Sequence, residues 1–207
     1  MTVSSLPPGF RPFTLAGVAP QAWRNGGGHT RELLMQPSAG EASWDWRVSV
    51  ADICHEGAFS IFEGMDRTAA LLRGPGLTLC GQAQQAHLVF DQIGAVRSFA
   101  GETALSALLP GGPARLFNVM VRRGSARAEL AKFDQDCELD LNGVAASVLL
   151  VVRGRFSATL CYGAGRSATC QIGIEAGLCI SNTDCQRVRV QALQPDPCLI
   201  HGILRRV

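Results

Sequence analysis

Three glycines in a row, Gly26-Gly27-Gly28, run into Thr30, Arg31 and Glu32, which offer a hydroxyl, a guanidinium and a carboxylate in succession. Glycine reaches backbone dihedrals closed to other residues and allows close approach to another group. A tight loop feeding a strand at the mouth of a site is therefore expected here. Asn25 precedes the glycines, and Leu33, Leu34 and Met35 follow as a core anchor. Further along, Arg47 and Ser49, the pair Asp66-Arg67, and Asn118 with Arg122 add polar groups to short apolar runs. The donors Asn25, Thr30, Arg31, Arg47, Ser49, Arg67, Asn118 and Arg122 suit a small anionic organic ligand, because guanidinium and carboxylate pair bidentately. Glu32 and Asp66 could hold those arginines in place, or act with Asp52 or His29 as general acid or base. The plainer alternative is structural, with Arg31, Arg67 and Asp66 tying loops to a rim through ion pairs.

Other chemistries are poorly served. The four histidines (His29, His55, His87 and His201) are widely separated with no His-x-His pair, and the eight cysteines form no CxxC or CxxH spacing; metal is not expected. The glycine run lacks the Gly-Lys-Ser/Thr ending and leads into β-type residues, so it is not a phosphate loop opening a helix. No Gly-x-Ser-x-Gly elbow occurs. A net charge of +2 with both signs interspersed leaves no basic footprint for nucleic acid. No signal-peptide pattern and no run of eighteen apolar residues is visible, so a cytoplasmic protein with no membrane contact and reduced cysteines is expected.

The elements that must position these residues read as short strands. Hydrophobic residues make up 47% of the 207 positions and charged ones 17%, ample for a core. Phe10 to Val18 reads as a first strand after a loose lead over residues 1–9, and His29 to Met35 as the next. In the latter, Thr30 and Glu32 share one face, and His29, Arg31, Leu33 and Met35 the other. Trp44 to Ile53 alternates most clearly, with Trp44, Trp46, Val48 and Val50 opposite Asp45, Arg47, Ser49 and Ala51. That polar side faces water in an open sheet, or lines an interior in a closed barrel. Met65 to Leu72 admits helix or strand and is read as strand. Gln82 to Gln85 marks a turn before a strand over Ala86–Phe90. Asn118, Met120 and Arg122 share one face of a strand opposite Phe117, Val119 and Val121. After about Ser125 the chain is more apolar, with glycine-punctuated strands to Leu204. Two similar strand series suggest duplication of architecture without a sequence repeat, and the fold class expected is all-β.

The motifs Trp23-Arg24-Asn25-Gly26-Gly27-Gly28-His29-Thr30-Arg31-Glu32, Trp46-Arg47-Val48-Ser49-Val50-Ala51, Gly57-Ala58-Phe59-Ser60, Met65-Asp66-Arg67 and Phe117-Asn118-Val119-Met120 resemble those of the HutD/Ves family. The resemblance spans about residues 10–124. It implies a bicupin, two cupin-like (double-stranded β-helix or jelly-roll) barrels in one chain, with 1–124 as the motif-bearing barrel and 125–207 as the second, interlocked with it. It implies, too, a small-carboxylate pocket of the urocanate or formyl/formimino-glutamate type and a modulating role in bacterial histidine utilisation. The site residues expected are Asn25, Thr30, Arg31, Glu32, Arg47, Ser49, Asp66, Arg67, Asn118 and Arg122. No metal, other cofactor or catalytic residue is expected. A non-catalytic binder is preferred to a metal-free isomerase or hydrolase, or a Ves-type stress-response protein. A homodimer is compatible with this reading.

Overall fold

The computed structural model describes residues 6–38, 43–81, 87–181 and 183–207. The expected turn at Gln82–Gln85, Ala86 and the first five residues of the lead lie outside the described residues. Nineteen strands form among those described, beginning with β1 (Phe10–Thr14), β2 (Gln21–Ala22), β3 (Gly28–Pro37), β4 (Trp44–Ile53) and β5 (Gly57–Ala58). They continue through β6 (Met65–Arg73), β7 (Leu77–Gly81), β8 (His87–Phe90), β9 (Val96–Ala100), β10 (Leu105–Leu108), β11 (Ala114–Arg122) and β12 (Ala126–Phe133). The remainder are β13 (Cys137–Asp140), β14 (Ala146–Arg153), β15 (Phe156–Tyr162), β16 (Arg166–Ile172), β17 (Ala176–Ser181), β18 (Cys185–Ala192) and β19 (Cys198–Arg206). The expected all-β class is observed, and Met65–Arg73 is a strand. No helix among the described residues is long and apolar enough to cross a membrane.

Two compact units divide the chain: Val18–Leu130 with Val207, and Met1–Gly17 with Ala131–Arg206. Set beside a division at residue 124, the N-terminal strand thus goes with the later unit, because β1 pairs antiparallel with β17 from Phe10↔Ile180 to Thr14↔Ala176. The first strand also stops short of Val18. Leu15–Gly17 turns into a single 3-10 turn, closed by the Gly17 N–H donating to Thr14 Oγ1 at 3.2 Å.

In the Val18–Leu130 unit, a six-stranded sheet ordered β2-β3-β4-β11-β6-β9 accompanies a four-stranded sheet ordered β5-β10-β7-β8. A core including Ile53, Leu71, Leu77, Leu79, Phe90, Leu105 and Leu116 draws on both sheets. Burying such side chains is the main favourable term in folding, about 25 cal/mol per Å² of apolar surface removed from water. The other unit contains the strand orders β1-β17-β14-β19 and β13-β18-β15-β16. Leu149, Phe156, Leu160, Leu178, Val188 and Leu199 are among its core residues.

Within that second core His201 is 2% exposed, and its Nε2 lies 2.8 Å from Ser147 Oγ. Burial without a charged partner pushes the imidazole down from 6.5 to about 4. The unfolded chain therefore takes the proton first as pH falls. The contribution is intact above about pH 6.5 and is lost progressively towards pH 4, on the order of 3 kcal/mol. Urea unfolding of the wild type at pH 7 and 4.5 is expected to show this loss, and His201→Gln a flatter profile between the two.

Candidate functional site

The glycine run builds a hairpin between β2 and β3. The Trp23 N–H donates to the Gly28 carbonyl (2.9 Å) and the Gly26 N–H to the Trp23 carbonyl (3.1 Å). Asn25 Oδ1 accepts from the Gly27 N–H at 3.0 Å, an Asx-type closure. Gly26 has φ +69°, where glycine is favoured. Gly28 meets a different constraint: a methyl group there would collide with the Asp52 carbonyl oxygen of the neighbouring strand. The hairpin brings the Trp23 indole N–H to 2.8 Å from Thr30 Oγ1, which fixes Trp23 as one wall.

Strand register then assembles a polar face. Glu32 pairs with Ser49 and Thr30 with Ala51 across β3 and β4, while β11 places Asn118 opposite Ser49 and Met120 opposite Arg47. On the far side of β11, Met120 faces Arg67 and Asn118 faces Ala69 of β6. Paired residues in an antiparallel sheet project from the same side, so these form two rows over one cavity of about 400 Å³. The alternation expected for β3 is broken by an irregularity between Glu32 and Leu34. A shift of one residue exchanges faces, and Met35 consequently pairs with Arg47 instead of sharing the Arg31 side. Trp44, expected beside Trp46, lies against the Arg47 guanidinium at 5.2 Å.

Of the ten residues expected at a site, Asn25, Thr30, Glu32, Arg47, Ser49, Arg67 and Asn118 line this cavity. Arg31, Asp66 and Arg122 are not among the lining residues, for three separate reasons. Arg31 lies opposite Val50, on the other side of the sheet, where its Nη1 donates to Asp52 Oδ2. Arg115 also donates to Asp52, and His29 Nε2 is 2.9 Å away. Burial pushes the Asp52 carboxyl up, but the hydrogen bonds from Arg115 and Arg31 outweigh it and hold the group below its ordinary value. Asp66 is exposed, 2.7 Å from Arg123 Nη2, which also bonds Glu102. Arg122 shares the face of Asn118 but donates to Ser43 Oγ (2.7 Å) and lies 3.9 Å from Asp45.

Three guanidiniums line the cavity: Arg24 is exposed, while Arg67 is buried and Arg47 half-buried. Arg67 is 7% exposed, donates to the Ser60 carbonyl at 3.2 Å and makes a long 3.4 Å contact with Asn118 Oδ1. Phe99, Phe59 and Phe62 surround it at 4.9, 5.4 and 5.5 Å from their ring centroids, an arrangement attractive to a cation. Arg47 lies over Trp44 and Phe62. Among the described residues neither has a carboxylate within ion-pair distance, and the Nε of each is buried without a hydrogen-bond partner. Burial, reinforced by Arg47, lowers Arg67 to about 10. Arg47 is lowered too, by burial that Glu32 partly offsets. Both remain protonated at neutral pH, leaving a preformed cationic cleft.

The aromatic walls Trp23, Phe59 and Phe62 escaped the assignment of site residues. Trp23 and Phe59 stand inside quoted motifs, and the Phe59/Phe62 spacing in a glycine-bounded loop was the available signal. For metal the residues do not fit: no group of three His, Cys, Asp or Glu among the described residues could hold an ion.

The fold and cleft define the class first. The structure matches oxalate decarboxylase from Lactobacillus farciminis over 99% of this chain and 86% of that one, with TM-score 0.61 and 11% identity, a cupin-like architecture. HutD from Pseudomonas fluorescens SBW25, solved in a formate condition, matches over 96% of this chain and 99% of that one, with TM-score 0.79 and 22% identity. In sequence, an uncharacterised 21.2 kDa protein in the hutC 3′ region of Pseudomonas putida is 39% identical over 114 residues, 54% of this chain and 58% of that protein. Protein Ves of Cronobacter sakazakii is 35% identical over 124 residues, 59% of this chain and 66% of that protein. The matches thus span less than two thirds of the length of either relative. The HutD family model matches residues 16–198; the chain belongs to the HutD/Ves family.

Gly28→Ala is expected to destabilise the protein by about 1–3 kcal/mol through backbone collision, and Gly26→Ala by about 1 kcal/mol through dihedral strain. Guanidinium chloride unfolding of the two variants measures the difference.

Proposed function

We propose that the chain is a bicupin whose Val18–Leu130 unit binds a small carboxylate, of the urocanate or formyl/formimino-glutamate type, without metal and without catalysing a reaction. In this reading it modulates bacterial histidine utilisation in the cytoplasm. The observation that carries it is the pair Arg47 and Arg67, two guanidiniums facing one cavity with no carboxylate partner among the described residues. A ligand carboxylate supplies the missing counter-ion and the acceptors their buried N–H groups lack. Charge-assisted hydrogen bonds of this type are roughly twice as strong as neutral ones, and burial protects them from the screening that weakens surface pairs. The flat aromatic walls suit a planar or unsaturated ligand body. The association with histidine utilisation draws on the hutC neighbourhood of the Pseudomonas putida relative.

Calorimetric titration with urocanate and formylglutamate tests the site. The wild type is expected to bind at least one of them, and Arg47→Ala and Arg67→Ala each to weaken it about 10- to 100-fold, equivalent to about 1.4–2.8 kcal/mol. Arg31→Ala, on the opposite face, is expected to retain affinity within about threefold. Equal binding by wild type and Arg47→Ala would overturn the assignment.

A further inference from the structure

We infer that Glu32 reads the far end of the ligand, so that the cavity selects a monocarboxylate carrying an uncharged N–H donor. This rests on the carboxylate reading above and narrows it. Glu32 lines the cavity, is half-buried, and makes no hydrogen bond or ion pair with any described residue. A carboxylate partly withdrawn from water without a hydrogen-bond partner is unfavourable, and the attraction of Arg47 on the neighbouring strand, beyond ion-pair distance, is what offsets that cost. Its cross-strand neighbours on the same face are Ser49 and, beyond it, Asn118.

The placement of Glu32 relative to the guanidiniums sets a ligand length. Glu32, Ser49 and Asn118 form one row, and Arg47, Met120 and Arg67 form the next row on the same face. Same-face rows are two residues apart along a strand, about 7 Å. A carboxylate held between Arg47 and Arg67 therefore leaves the other end of a small molecule near Glu32.

Charge decides what that end carries. Besides the solvent-exposed Arg24, whose charge water and salt screen, two guanidiniums and one carboxylate line the cavity, a balance of +1 that a single ligand carboxylate neutralises. A second ligand carboxylate would face Glu32, and like charges at such distances in a partly desolvated cleft repel more strongly than in water. An uncharged N–H, as in imidazole or an amide, instead gives Glu32 a charge-assisted hydrogen bond and preserves neutrality. The flat rings of Trp23, Phe59 and Phe62 along the cavity favour a planar group in that role over a tetrahedral ammonium. Sites built to hydrogen-bond an N–H reject analogues lacking it, because the buried acceptor is then left unpaired.

Isothermal titration of the full chain with imidazolepropionate, phenylpropionate and glutarate separates this inference from the reading beneath it. The three share a carboxylate and differ at the far end as N–H donor, apolar ring and second carboxylate. Wild type is expected to bind imidazolepropionate about tenfold or more tighter than the other two. Glu32→Leu is expected to bring the imidazole and phenyl probes within about threefold of each other, with Glu32→Gln intermediate as the isosteric check on folding. Arg47→Ala is expected to weaken all three. Equal wild-type affinities that Arg47→Ala still reduces would overturn the role of Glu32 and leave the carboxylate site standing. Selectivity that survives Glu32→Leu, or a uniform loss for all probes in that variant, would also overturn it, the latter marking Glu32 as a counter-ion for Arg47. No binding of any probe by wild type would sink both readings.

Discussion

The buried guanidinium of Arg67 and the half-buried one of Arg47, neither with a carboxylate in ion-pair distance among the described residues, are the constraint around which the Val18–Leu130 unit is arranged. Removing a charge from water costs several kcal/mol even after relaxation, and a protein holding two such charges over one cavity must compensate locally. Aromatic faces provide part of that compensation: Phe59, Phe62 and Phe99 around Arg67, and Trp44 and Phe62 around Arg47. Cation–π attraction of this kind is worth about 0.5–2 kcal/mol per contact, less than full solvation. Burial, reinforced by the like charge of Arg47, accordingly lowers Arg67 to about 10. On the proposed reading, an anion entering the cleft would offset that cost of desolvation, and burial would favour negatively charged ligands.

Separate faces of one sheet keep Asp52 out of this cleft and leave Glu32 as the acid among its described lining residues. Asp52 sits in the row His29–Asp52–Arg115 and takes its hydrogen bonds from Arg31 and Arg115. Alternation along β3 and β4 turns that ion cluster away from the side carrying Glu32, Arg47 and Ser49. Asp66 and Glu102 are occupied by the exposed Arg123. The glycines contribute by geometry: Gly28 allows β3 to come close against the backbone of Asp52, and Gly26 turns the chain so that Trp23 can bond Thr30.

Much of this was legible in the residues. Alternating Trp46-Arg47-Val48-Ser49-Val50 announced a strand with two chemically distinct sides, and the register gathered Thr30, Glu32, Arg47, Ser49, Arg67 and Asn118 over one cavity as the donor pattern suggested. What alternation cannot carry is an interruption. The irregularity after Glu32 moves Met35 across to Arg47, and the 3-10 turn at Leu15 ends β1 early. Long-range pairing is equally invisible to local pattern: only the β1–β17 ladder shows that the chain's first strand belongs with its last third. Arg31 and Arg122 carry the same guanidinium as Arg47, and their partners, Asp52 and Ser43, come from other strands or loops. Composition therefore pointed to guanidinium as a candidate group, and the structure shows which of the expected copies line the cavity and which turn elsewhere.

The central claim, that Arg47 and Arg67 are held open for an anion while Arg31 and Arg122 are engaged by Asp52 and Ser43, is tested most directly by observing each guanidinium. NMR of the 15N-labelled chain during titration with a small monocarboxylate resolves the Nε–H signals. Movement of the Arg47 and Arg67 resonances, with those of Arg31 and Arg122 unchanged, is the result expected. Movement confined to Arg31 or Arg122, or none at either Arg47 or Arg67, would contradict it.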